Sequence, residues 1–374
     1  MYKKLSAWVF LIILTAGMAW YIFGWAECFM SGSDINESLP DNYRIISGWE
    51  IADAVTDNML PCYDKALKLR TKLTLATGSR KEGNIYISKE RLLREPEIID
   101  EESVLNVTGY INSFYNKYSV PTCLSALPEA AEIYTECLPE NVSIPSQLGA
   151  LDPLYENIDT KIRTIDAFHV LSTFKDSYIY YRTDSGCTAN GAYFLYRSVI
   201  RKMGYNPVSY DRCTISHVKN EVRGDLYDAC LYGNVTPDMI DVYICENSSI
   251  VRQVRKFDGN TWQESSFYDK EALKNGNARD FFTGSPSLLT EIETNVENNK
   301  KLLFIKDSYG NNMLPFLSQH YSRIDAVDIN CLDRDITEIT DPAEYQQVLI
   351  LCSGYTFSNE SSFRFISDSS KTGG

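Results

Sequence analysis

The longest uncharged apolar run in the chain extends from Ala7 to Trp25 (AWVFLIILTAGMAWYIFGW). As a helix it would reach roughly 28 Å, close to the thickness of one hydrocarbon core. Lys3 and Lys4 precede it, which favours a cytoplasmic N-terminus and an exported remainder. Trp20, Tyr21 and Trp25 would then sit near the outer interface. A cleaved signal peptide is the competing assignment, but no small-x-small site closes the run, and Glu27 before Cys28 makes a poor lipoprotein site. The expectation is an uncleaved single-pass anchor within residues 1–28, crossing the membrane through residues 7–25.

Residues 29–48 are polar and carry Gly32, Ser33 and Pro40, the pattern of a spacer. Ile51, Val55 and Met59 then recur every four residues, which predicts an amphipathic helix. Pro61 interrupts it, a second helix is expected from Tyr63 to about Ala76, and Gly78 and Gly83 end a spacer-and-helix region at residues 29–80. Beyond it, short apolar runs alternate with helical patterns. Val120 to Leu127 (VPTCLSAL) predicts a buried strand, with a helix from about Glu129. Tyr178 to Tyr181 (YIYY) predicts another strand, and a helix from about Ala189 carries Tyr193, Tyr196, Val199 and Ile200 along one side. Leu302 to Ile305, Ile324 to Ile329 and Val348 to Cys352 complete the strands. Strands alternating with helices imply a parallel-rich sheet covered on both faces, here an α/β domain over residues 81–366 with a frayed tail at 367–374.

Hydrophobic residues make up 44% and charged residues 23%, ordinary values for a folded chain of 374 residues. The formal net charge of -14 argues against a nucleic-acid partner, which requires a basic footprint. The ten cysteines show no CxxC pair and no metal-ligand spacing, so neither a metal site nor a cofactor is expected. Sequence distance alone allows Cys123 to pair with Cys137; Cys245 and Cys352 lie in or beside apolar runs and are expected as small buried hydrophobes. The 25 tyrosines and 5 tryptophans are compatible with sugar stacking, although core packing explains most of them more simply.

The sharpest candidate for chemistry is Lys306-Asp307-Ser308-Tyr309-Gly310-Asn311. An apolar strand runs into Ser308, and a helix is expected around Asn312 to Gln319. That turn exposes a hydroxyl at the carboxyl edge of the sheet. The backbone N–H groups of Tyr309, Gly310 and Asn311, at the helix start, are placed to stabilise an oxyanion. Such a serine suits nucleophilic acyl transfer when a base lies within reach. The plainer alternative is a serine that caps the helix, and the motif alone favours that alternative.

The block IKDSYGNNMLPFLSQHYSRIDAVD resembles the C-terminal part of the DHHW family, which is similar to SGNH hydrolases and to the alginate O-acetylation proteins. GNIYISKE at 83–90, IDAFHVL at 165–171, YYRTD followed by GAYFLYR at 180–197, and VLILCSGYTF at 348–357 extend the resemblance across most of the chain after residue 50. It implies a three-layer, SGNH-like (flavodoxin-like) fold. It also implies a triad in which the Asp and second His of an Asp-His-His-Trp motif serve the serine of the KDS block. Here those four positions read Asp184-Ser185-Gly186-Cys187. Asp184 matches, but Gly186 stands at the histidine and Cys187 at the tryptophan. Glycine cannot accept a proton, and a triad without its base loses several orders of magnitude in rate. The family's Gly-Gly-Asn stretch, whose asparagine donates to the oxyanion, corresponds to Thr283-Gly284-Ser285-Pro286, which has no asparagine.

Only His169, His217 and His320 are available to substitute. His320 is expected about three turns beyond Ser308, His169 in a helix before the YIYY run, and His217 in an irregular region. Nothing near Cys187 marks a low-pKa thiol. Two functions from different classes fit these residues. One is an envelope acyltransferase or acetylesterase on an exported polysaccharide, with Ser308 as nucleophile and Asp184 orienting a base. For that enzyme a membrane-bound O-acyltransferase is the expected acyl donor; the other function is a catalytically impaired relative at the bacterial cell membrane that binds glycan or an envelope partner through the same cleft. The damaged motif favours the second.

Overall fold

The computed structural model describes residues 63–245, 251–275 and 280–367. The expected membrane segment at residues 7–25 and the helix expected over Ile51 to Met59 lie outside them. Among the described residues no helix is long and apolar enough to cross a membrane. Helix α1, Tyr63–Ala76, has the expected bounds and belongs to a unit that ends at Thr77. Gly78 begins the second unit, which carries everything below.

Along this unit the elements are a small antiparallel sheet of β1 (Lys81–Glu82), β2 (Ile85–Ile87) and β3 (Leu92–Arg94), then helix α2 (Glu101–Tyr118) and strand β4 (Thr122–Leu127). Next come the short helix α3 (Ala130–Ile133), β5 (Arg163–Thr164), α4 (Ala167–Thr173) and α5 (Ala189–Lys202). After these lie β6 (Cys213–Val222), α6 (Asp225–Cys230), β7 (Asp238–Cys245), β8 (Val251–Phe257), β9 (Trp262–Ser265) and β10 (Leu289–Thr294). The chain then forms β11 (Lys301–Lys306), α7 (Leu314–Leu317), β12 (Arg323–Asp328) and β13 (Gln347–Ser353).

The main sheet has the order β5-β4-β13-β11-β12-β10-β8-β9. From β5 to β12 neighbouring strands are parallel, while β10, β8 and β9 extend the sheet antiparallel. The central parallel strands β4, β13, β11 and β12 are buried on both faces, which is why β13 and β11 read as nearly unbroken apolar runs. Alternate residues divide between two cores, as the period of two requires. Leu302, Phe304, Leu349 and Leu351 face one core with Tyr193, Tyr196 and Val199 of α5. Leu303, Ile305, Val348 and Ile350 face the other with Val104, Val107 and Ile111 of α2. The Asp100 carboxylate caps α2 through Ser103 N at 2.9 Å, and the Thr188 hydroxyl caps α5 through Gly191 N at 3.2 Å.

Two expectations are corrected. Tyr178–Tyr181 is not a strand of the sheet: Tyr178 has a left-handed backbone (φ 51) and only Tyr180 forms a bridge, to Cys187. The cause lies in the segment that follows. Thr188 donates its hydroxyl to Tyr178 O and its N–H to Ile179 O, so a loop folds back and takes up the backbone groups that a neighbouring strand would use. At Gly191, a Cβ would lie 2.2 Å from Ile179 O, so only glycine lets α5 start this close to the loop. Cys245 is not a free hydrophobe but is disulfide-bonded to Cys213, because the antiparallel register of β6 and β7 sets the two opposite each other. Cys123 and Cys137, the pair that sequence distance allowed, are both free thiols, and Cys352 is buried as expected.

Candidate active site

Ser308 follows β11 at the carboxyl edge of the parallel sheet, as the apolar run before it predicts. The turn is a 3-10 helix over Ser308–Met313 leading into α7, shorter than the helix expected around Asn312 to Gln319. Asp307, not Ser308, is the cap: its Oδ1 accepts from Tyr309 N at 3.0 Å. Its Oδ2 accepts from Ser353 N at 2.7 Å and from the Thr356 hydroxyl at 2.9 Å, which ties the turn to the end of β13. Burial pushes the Asp307 carboxyl above the usual range, against the pull of those bonds. Gly310 N donates to Asp307 O at 3.1 Å. Two of the three N–H groups expected to face an oxyanion, those of Tyr309 and Gly310, are therefore already engaged. The third residue, Asn311, is buried, and its side-chain oxygen has no hydrogen-bond partner among the described residues.

Asp184 lies in the loop between Tyr181 and α5 and is 6% exposed. Its Oδ1 accepts from Gly186 N at 2.8 Å. A Cβ built at Gly186 would lie 3.2 Å from that oxygen, so a side chain at position 186 starts beside the carboxylate. The loop is braced from α6. Asp225 accepts from Ser185 N at 3.1 Å and pairs with Arg94, and a Cβ at Gly224 would lie 2.3 Å from the Asp184 Cβ. The structure brings this loop to the serine turn: the Asn312 side chain donates to the Cys187 carbonyl. The loop's remaining candidate, Cys187, is 4% exposed, and burial pushes its thiol up to about 12, so it is a packed residue rather than a nucleophile.

No imidazole joins the two segments in the described residues. His320 is half-buried, and its Nε2 meets the Tyr196 hydroxyl at 2.6 Å. Burial lowers its pKa to about 4, which keeps the ring neutral at ordinary pH. His217 pairs through Nδ1 with Asp241 at 2.7 Å on the β6–β7 ribbon. His169 is exposed on α4. The loop at Thr283-Gly284-Ser285-Pro286 is held by Thr283 N on Phe267 O and by Lys256 Nζ on Ser285 O.

Sequence patterns missed Glu129. It follows β4 and is 7% exposed, with Oε1 accepting the Tyr309 hydroxyl at 3.0 Å. Burial raises its pKa to about 7, while Arg94 and the tyrosine pull it back. The only signal in the sequence was an acidic residue where an apolar strand ends, in Leu127-Pro128-Glu129. The site thus holds a hydroxyl at Ser308, a carboxylate at Asp184 already bonded to backbone, and a second carboxyl beside Tyr309 that ionises near neutrality. Among the described residues, no group of His, Cys, Asp or Glu is arranged to hold a metal ion.

The sequence profile of the DHHW proteins matches residues 96–327, more than half of the chain. The fold is similar to that of a DHHW family protein from Eubacterium siraeum, at 20% identity and a TM-score of 0.62, over 75% of this chain and 97% of that one. It is also similar to PatB1 of Bacillus cereus, at 17% identity and a TM-score of 0.64, over 75% of this chain and 99% of that one. PatB1 carrying a sulfonyl adduct matches at 16% identity, with a TM-score of 0.64, over 75% and 97% of the two chains. No curated protein sequence matches at a significant level.

Proposed function

The chain belongs to the DHHW family, and we propose that it serves O-acylation of an exported envelope polysaccharide without being its serine catalyst. In this proposal residues 7–25 anchor it in the bacterial cell membrane and the α/β domain works outside, binding glycan or a membrane-bound O-acyltransferase. The setting comes from the resemblance of the KDS block and its companions to the DHHW family, which is related to the alginate O-acetylation proteins. The Cys213–Cys245 disulfide is in keeping with an oxidising compartment.

One observation carries the catalytic part. Asp184 Oδ1 receives the N–H of Gly186, at the position where the family places its imidazole, so Ser308 has no base to take its proton. A second function, an active serine acyltransferase or acetylesterase, is favoured by Glu129 alone, whose carboxyl ionises at about 7 and bonds the residue after Ser308.

Complementation separates the two. Deleting the gene is expected to lower the ester-linked acetate on the exported polysaccharide, and wild-type and Ser308→Ala chains are expected to restore it equally. Restoration by the wild type alone would make Ser308 a catalyst and overturn the proposal.

A further inference from the structure

A concave site that does not include Ser308 lies where α5 meets the loop that leads to β6. It is a pocket of about 410 Å³ whose wall includes Tyr193, Arg197, Arg201, Asn206, Tyr210 and Asp211. Arg197 and Arg201 stand one helical turn apart, so their side chains project from the same face. Neither guanidinium has a carboxylate partner among the described residues, in a chain whose net charge is -14. A basic residue in the last turn of a helix complements the helix dipole, which accounts for Arg201. It does not account for Arg197 over the Tyr193 ring, 6.0 Å from its centroid. Burial raises the Tyr193 phenol; Arg197 and Arg201 pull against it, while the Asp211 carboxylate and Tyr210 add to the rise.

The site is also held in shape before any ligand arrives. The Tyr193 hydroxyl donates to Val208 O at 2.9 Å, and Val208 N donates to the Tyr196 hydroxyl at 2.8 Å. These two bonds clamp the loop onto α5. Tyr210 packs edge-on against Tyr193 and Tyr243, with centroids at 5.5 and 6.0 Å, yet remains 44% exposed. An exposed aromatic ring beside two unpaired guanidiniums, with an amide and a carboxylate at hand for hydroxyls, matches one ligand chemistry.

We propose that this pocket binds an acidic sugar, its carboxylate or phosphate held between Arg197 and Arg201 and its ring against Tyr210. Asn206 and Asp211 take the hydroxyls. Binding here is independent of the chemistry at Ser308, so a Ser308→Ala chain is expected to bind equally well, and the pocket stands or falls separately from the function proposed above.

Isothermal titration of the full chain in mild detergent tests it. Two probes represent the two sources of the chemistry: trigalacturonate for a uronate polymer and glucose 6-phosphate for a sugar phosphate. At least one is expected to bind, more weakly as salt is raised, and to lose about tenfold or more in Arg197→Gln/Arg201→Gln. Tyr210→Ala is expected to weaken it too, and since all three side chains reach solvent, circular dichroism should show an unchanged fold. The proposal is overturned if neither acid binds, if binding survives the double substitution, if maltotriose binds as tightly, or if inorganic phosphate matches glucose 6-phosphate.

Discussion

Asn312 donates its side-chain amide to the backbone carbonyl of Cys187, joining the turn after Ser308 to the loop that holds Asp184. The two segments are 125 residues apart in sequence, so this bond is part of what fixes the spacing between serine and carboxylate. Removing it leaves the Cys187 carbonyl without that donor in a poorly solvated place. Asn312→Ala is expected to lower stability by about 1–2 kcal/mol in urea unfolding. No measurable change would mean the loop is held by its other braces.

Glu129 gives the site a pH signature. Its folded pKa is raised from 4.5 to about 7, so the folded state holds the proton more tightly than the unfolded chain. Its contribution is fully present below about pH 4.5 and is lost as pH rises through about 7. Glu129→Gln keeps an acceptor for Tyr309 and removes the charge. The variant is expected to match the wild type near pH 4.5 and to exceed it at pH 8 by up to about 3 kcal/mol. Equal stability of the two at both pH values would show that the carboxyl is not desolvated as its burial implies.

Two glycines around Asp184 are expected to respond very differently to alanine. At Gly224 a Cβ would lie 2.3 Å from the Asp184 Cβ and 2.4 Å from Oδ2, so carboxylate or α6 must shift. Gly224→Ala is expected to destabilise by about 2 kcal/mol or more. At Gly186 the nearest atom is 3.2 Å away, and Gly186→Ala is expected to stay within about 1 kcal/mol. Melting curves of the two variants decide it, and a reversed order would contradict the loop geometry.

Much of the fold was legible because the parallel strands are buried on both faces. VLILC and LLFI can hardly be anything but core, and β13 and β11 are where they fall. The antiparallel extension was not legible. Its strands carry charges that pair across the sheet, as Arg255 of β8 does with Glu291 of β10, which also meets Arg323 of β12, and a pattern of apolar positions cannot report that. Ser308 was singled out from a local motif, and Asp184 and Gly186 from the resemblance to the DHHW family. Glu129 was not, since it meets Tyr309 across 180 residues, and Asp307 was overlooked as a cap because Ser308 beside it is an equally favoured kind. The Cys213–Cys245 pairing depends on the β6–β7 register, which spacing alone does not fix.

The central claim is that Ser308 lacks a base, and the rate of acetyl-ester hydrolysis by the purified full chain tests it most directly. Fluorophosphonate and sulfonyl fluoride labelling run alongside, since both reagents report an activated serine. Wild type and Ser308→Ala are expected to hydrolyse equally slowly and to remain unlabelled at residue 308, because an unassisted serine is a weak nucleophile near neutral pH. Gly186→His, whose side chain would start beside Asp184 Oδ1, is expected to rise above both by about tenfold or more. Hydrolysis and labelling by the wild type, abolished in Ser308→Ala, would contradict the account.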